Sequence, residues 1–355
     1  MNITLRRVMV VSMAAVFFAS ALGATLFVDD AYADTSIEIT DSTGETITLD
    51  APARNVITIG RGFTTTVAEL GGKEKIVAYD SYSVGVATEY GITGENIGSP
   101  YQAAEDLVTK IISLRGGGIF DVEKDIVITD TSTYMLNDGK VRDLLTGQGF
   151  KVVSFGGDTY EDILGAVESI AKLIGKESSD VIVDMNEALD SAKEMAGSIA
   201  EEDRVTAIYV SESSGLLRVY NEGIAVSMIE LAGGINVGYK SGVSTKYHVE
   251  EAADIVLLNP DIVLLDGNHS LTAEEFRDTV LEAPFINVVK LDKEWNNYCP
   301  AAAEGLRAIS ALMSDTYEHD DSYWDVNPID YTVVGGIIAA ILIIAVAGIF
   351  IMRRH

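Results

Sequence analysis

The chain has 355 residues, 48% of them hydrophobic, and its 54 Asp and Glu outnumber 25 Lys and Arg to give a net charge of −29. No basic stripe interrupts that acidity, so the phosphate-neutralising charge on which nucleic-acid binding depends is missing and that class of partner is excluded. Cys299 is the single cysteine, which excludes a disulfide framework, and the length leaves room for two α/β lobes with ordinary cores.

Residues 1–33 read as an export signal. Arg6 and Arg7 precede an apolar stretch, 8–28, and Ala31-Tyr32-Ala33 forms a small-x-small cleavage pattern that would leave Asp34 as the first mature residue. The competing reading is an uncleaved anchor, since about 20 apolar residues span a bilayer. Alternation of apolar and polar residues around Ser42-Thr43-Gly44 predicts a hairpin over 37–49. A first α/β lobe is expected over 34–157, with Val/Ile-rich parallel strands at 56–59, 76–79, 126–129 and 152–155. Residues 158–200 follow as a helical region. In it Val181, Met185, Ala188, Ala192, Met195 and Ile199 recur in steps of four and three, the stripe of one long helix suited to an interlobe spine.

A second lobe is expected over 201–317, with strands at 205–210, 219–220, 235–237, 262–265 and 288–291 and a closing helix over 301–317. Residues 318–330 form an acidic stalk containing Pro328. The uncharged run inside 331–352 is long enough for a transmembrane helix, and the tail 353–355, Arg353-Arg354-His355, places its end in the cytoplasm. The main domain is therefore expected to be extracellular or periplasmic, on a single-pass anchor in the cell membrane.

The two lobes share one β-α-β grammar. Residues 55–80 and 205–239 each run from an apolar strand through a Gly-containing turn and an amphipathic stretch to a stop, Glu69-Leu70-Gly71-Gly72 in one and Glu230-Leu231-Ala232-Gly233-Gly234 in the other. DIVITD at 125–130 is echoed by DIVLLD at 261–266. A duplicated unit implies two similar lobes and a cleft between them. Ligands of open α/β sheets bind outside the carboxyl ends of the strands. That rule selects Arg61, with a planar donor fork for an anionic or carbonyl oxygen. It also selects Tyr82, Tyr160, Tyr220, His269, Trp295 and Tyr298, whose rings suit large ligands of mixed polarity. Core packing is the alternative for each ring.

The order DSTGETITLDAPARNVITIG, ELGGKEKIVAYD, ELAGGINV and VEEAADIVLLNPDIVLLDG, with a late Trp295 ahead of Cys299-Pro300, resembles the helical-backbone (class III) solute-binding proteins of ABC importers. The resemblance covers roughly residues 36–317. It departs from the family pattern where Lys124-Asp125 stands in place of Pro-Asp, and where 111–123, with Gly116-Gly117-Gly118, looks like an insertion. It implies two Rossmann-like lobes with parallel sheets joined by one long backbone helix. It also implies capture of a ferric siderophore, corrinoid or haem for delivery to an ABC importer permease and its ATPase. Carboxylates that would engage the permease are, by position, Glu105 on the first lobe and Glu250, Glu251 and Asp254 on the second. A ligand-sensing or adhesive ectodomain with the same fold is the alternative.

Other chemistry has weaker support. Gly60-Arg61-Gly62 lacks the third glycine of a dinucleotide fingerprint. His248, His269 and His319 all fall in the second half, so a naked transition-metal site shared between lobes is not expected, and a carried metal should arrive already chelated. No nucleophile-elbow or zinc-protease motif occurs, and an enzyme is not expected. Asn268-His269-Ser270 is a glycosylation sequon.

Overall fold

The computed structural model describes residues 36–131, 140–177 and 179–314. The expected export signal, acidic stalk, membrane span and cytoplasmic tail, with His319, lie outside them. Among the described residues no helix is long and apolar enough to cross a membrane.

The described residues divide into two compact units, one made of those up to Gly156 together with those from Gly165 to Ser179, the other of Gly157–Leu164 and those from Asp180 to Ser314. The first unit opens with an antiparallel hairpin, β1 (Ile37–Thr40) and β2 (Thr46–Leu49), where the alternating pattern predicts it. Its sheet consists of β3 (Val56–Thr58), β4 (Ile76–Tyr79), β5 (Glu95–Asn96), β6 (Ile126–Asp130) and β7 (Val152–Phe155). All pairings are parallel, in the order β5-β4-β3-β6-β7. Every residue of β3 and β7 is buried, as continuous apolar strands covered on both faces should be. The helices of this unit include α1 (Arg61–Val67), α2 (Val84–Tyr90), α3 (Ala104–Gly116) and α4 (Lys140–Gly147). The stretch expected to be an insertion, 111–123, begins as the last turns of α3 and continues past its end: Ile111 and Leu114 are buried on the helix, and Phe120 beyond it packs on Phe150 at 5.4 Å.

Helix α5 (Tyr160–Ile174) contributes residues to both units, whereas α6 (Asp180–Ser198), the helix with the long apolar stripe, lies wholly in the second and packs on its helices. Both fall inside the helical region expected over 158–200.

The second unit's sheet is built from β8 (Thr206–Ser213), β9 (Leu216–Tyr220), β10 (Ile235–Asn236), β11 (Tyr247–Glu250), β12 (Ile262–Leu265) and β13 (Asn287–Lys290). The order is β11-β9-β8-β12-β13, with β10 also on β8. It is not wholly parallel: β9 runs antiparallel to both β8 and β11. The reason is local. Ser214 and Gly215 both have positive φ, 56° and 78°, the two-residue geometry that folds a chain straight back on itself. Helices α7 (Ile224–Leu231), α8 (Ala252–Leu257) and α9 (Ala302–Met313) complete the unit, the last within the span predicted for the closing helix.

The sequence repeat has a structural counterpart in each unit. Asp125, just ahead of β6, accepts from the backbone N–H of Asn55 at 3.0 Å; Asp261, just ahead of β12, accepts from that of Thr206 at 2.8 Å. Each carboxylate thus ties the start of one central strand to the start of its parallel neighbour. The two glycine stops also match. Gly71 and Gly233 adopt φ of 75° and 83°, and a Cβ on the following Gly72 or Gly234 would lie 2.8 Å from Ile174 or 2.5 Å from Met313.

Candidate functional site

The carboxyl ends of the first unit's strands carry a graded polar site. Strand β3 runs on through Ile59 and Gly60 to Arg61, which opens α1; β4 is followed by Asp80 and the short turn Ser81–Ser83. Tyr82 in that turn is 46% exposed and meets Tyr101, 47% exposed, edge to face at 5.2 Å and 89°. Beneath lies a chain of buried hydroxyls: Thr58 bonds Thr64 at 2.8 Å, Thr64 donates to Ser83 at 2.8 Å, and Ser83 donates to Asp80 at 2.5 Å. Asp80 is fully buried, and burial pushes its carboxyl above the ordinary carboxylate range against the opposing pull of its Ser83 hydrogen bond.

The second unit presents an aromatic ladder on its own sheet. Tyr209 is buried on β8, and its ring lies 4.9 Å from that of Tyr220, which in turn lies 5.5 Å from Tyr247. The Tyr209 hydroxyl donates to the Asp266 carboxylate and accepts from Asn296 Nδ2 at 3.0 Å. Burial first, and then the Asp266 charge, push the Tyr209 hydroxyl well above its ordinary pKa, so it stays protonated. Tyr220 reaches Ser211 hydroxyl to hydroxyl at 3.1 Å, and the Arg218 guanidinium lies 4.6 Å above the Tyr247 ring.

The residues selected from sequence separate accordingly. Arg61, Tyr82 and Tyr220 lie at strand ends with partial or larger exposure. Tyr160 does not: it is fully buried, its hydroxyl donating to the Met185 carbonyl at 2.8 Å. His269 is also enclosed. Its Nδ1 accepts from Leu271 N at 3.1 Å, which leaves the proton on Nε2 to donate to Glu212 at 2.9 Å, and its ring stands edge-on to Phe276. Trp295 is 9% exposed and packed so closely on α9 that a Cβ at Gly305 would lie 2.6 Å from its own. Tyr298 donates to the Gly157 carbonyl. Packing therefore accounts for Tyr160, His269 and Trp295. Tyr101, Arg218 and Tyr247 escaped the sequence selection, since Tyr101 follows no long strand and the other two sit within antiparallel strands.

Of the carboxylates implied for permease contact, Glu105 is exposed in the first turn of α3, and Glu251 and Asp254 are exposed at the start of α8. Glu250 differs, since it is drawn in by Lys240 at 2.6 Å and His248 at 3.3 Å. Among the described residues no group of three or more His, Cys, Asp or Glu is arranged to hold a metal ion.

No family model matches the sequence, and no curated protein does. Solved structures do match the fold. The Helicobacter pylori CeuE nickel–histidine complex superposes with a TM-score of 0.61 at 18% identity, over 79% of this chain and 88% of that one. The periplasmic catecholate-siderophore binding protein VctP of Vibrio cholerae gives 0.60 at 16% identity over 78% and 99%. The periplasmic heme-binding protein RhuT of Roseiflexus sp. RS-1 gives 0.55 at 15% over 74% and 98%. The fold is that of the class III periplasmic solute-binding proteins. Solute-binding proteins of this class, not enzymes, supply these neighbours, and the described units span nearly the whole of each.

Proposed function

We propose that this chain is a membrane-tethered extracellular binding protein that captures a small metal chelate, of the iron-siderophore, corrinoid or haem kind, for an ABC importer permease and its ATPase. The observation that carries the reading is the fold itself, matched over 88–99% of binding proteins whose names specify nickel–histidine, catecholate siderophore and heme. Two further features support it. Each unit presents tyrosines at its strand ends, and rings with one polar atom serve bulky ligands of mixed surface. The apolar run 333–352 with its terminal arginines would moor the protein beside its permease, replacing free diffusion by a high local concentration. Glu105, Glu251 and Asp254 are the carboxylates left exposed to meet the permease.

Ligand-induced stabilisation tests this reading. Anything that binds the folded form alone raises its stability by about 2.7 kcal/mol at a hundredfold excess over Kd. Melting the purified full chain with a neutral ferric trihydroxamate, ferric catecholate, ferric citrate, cobalamin and haem should raise the melting temperature with at least one. An unchanged melting temperature with all five would refute the chelate-binding reading.

A further inference from the structure

The second unit holds an arginine whose fork has no occupant. Arg54, Arg142, Arg277 and Arg307 each pair with a carboxylate. Arg218 pairs with none among the described residues, in a chain where acids outnumber bases 54 to 25. What lies against it is a ring: the guanidinium carbon sits 4.6 Å over the Tyr247 centroid, a contact that takes up none of its N–H groups.

The sheet geometry explains why no internal acid reaches it. Arg218 stands opposite Ser211 of β8 and Val249 of β11, at the level where the parallel pairing of β8 with β12 ends at Val210 and Leu265. Alternation puts Arg218, Tyr220 and Tyr247 on one face of the sheet, and Leu217 and Val219 on the other, in the core. Glu212 and Glu250, the carboxylates of the flanking strands, both stand opposite Leu217 and so belong to the core-side face, where His269 engages one and Lys240 and His248 engage the other. On its own face Arg218 is flanked by Leu216 and Val249, each about half exposed at 51% and 49%, and by the Ser211–Tyr220 hydroxyl pair.

Building on the chelate-binding reading, we propose that Arg218, laid over Tyr247, receives a carboxylate of the bound chelate. The planar fork matches a carboxylate's two oxygens, and the half-exposed apolar neighbours lower the local dielectric in which that pair forms. The overall acidity of the chain, which by itself favours neutral chelates, is offset at this one place. The ligand class selected is a polycarboxylate ferric chelate.

Calorimetric titration of the full-length chain with ferric citrate, iron-free citrate and a neutral ferric trihydroxamate tests this, in the wild type, Arg218→Gln and Arg218→Lys. Ferric citrate should bind the wild type, bind Arg218→Gln at least tenfold more weakly, and bind Arg218→Lys with intermediate affinity because the charge remains and the fork does not. Both variants should melt close to the wild type, since the guanidinium makes no hydrogen bond or ion pair within the described residues. Unchanged ferric citrate affinity in Arg218→Gln overturns the proposal, as does iron-free citrate binding as tightly as the chelate. Binding of the trihydroxamate alone overturns it too, while leaving the chelate-binding function standing. Binding of neither chelate, combined with silence across the wider melting panel, removes that function and this inference together.

Discussion

Asp125 has no exposed surface and satisfies three donors, the backbone N–H groups of Asn55 and Asp121 and the Asn55 amide. Asp125→Ala leaves those donors without acceptors and should cost about 3 kcal/mol, whereas Asp261→Ala, in an exposed setting where water substitutes, should cost about 1 kcal/mol. Guanidinium unfolding of the two variants measures the difference. Asp80 makes a pH prediction. Its folded pKa is raised by burial, so between the unfolded carboxylate value and that raised value the native state holds the proton more tightly. Its contribution to stability is full below the unfolded value and is lost as pH rises through the folded one. Asp80→Asn should flatten that loss, seen as a shallower fall in melting temperature from acid toward neutral pH; an identical slope in both proteins would show that Asp80 does not titrate there. At this scale the sequence revealed places more readily than directions. The strand-end rule reached Tyr82 and Tyr220 but also Tyr160, His269 and Trp295, whose side chains turn into packing. Parity along β9 carries the missing information: Arg218 and Tyr220 are two apart, with core residues Leu217 and Val219 between and before them.

At the scale of elements, the terminal hairpin illustrates what a single side chain from a distant helix can hold. Arg142 on α4 donates to Asp41 and to Glu45, both at 2.9 Å, and Asp41 also accepts from the Ser154 amide of β7 at 3.0 Å. Asp41 is buried, so Arg142→Met would strand its charge and cost about 3 kcal/mol, detaching the hairpin. Hydrogen exchange should then quicken in β1 and β2 ahead of the sheet; uniform protection across the unit would contradict this. The hairpin's alternation made it legible in advance, and so did the long central strands. The β8–β9 hairpin was not, because Ser214-Gly215 reads as an ordinary polar link until the antiparallel pairing of Val210 with Val219 gives it meaning. Helix α3 was obscured by its own glycines: Gly116-Gly117-Gly118 marked 111–123 as an insertion and hid that the helix, whose apolar residues are core, runs to Gly116.

For the whole molecule, the duplicated grammar has its counterpart in two separate sheets, because Asp-to-backbone ties and double-glycine stops are local devices that work alike wherever they recur. Ligand identity was not legible, since it depends on a few side-chain directions in a chain whose acidity dominates every compositional signal. Anchoring is testable independently: truncation ahead of residue 331 should release the protein from the membrane fraction, and persistence there after removal of the signal would contradict a C-terminal tether. The central claim is that the folded chain holds one metal chelate. Its most direct measurement is the stoichiometry of ligand retained on the purified full-length protein, by native mass spectrometry across ferric chelates, cobalamin and haem. One chelate per chain, saturable and displaced by excess of the same chelate, is the predicted result; a folded chain that retains none of them contradicts the account.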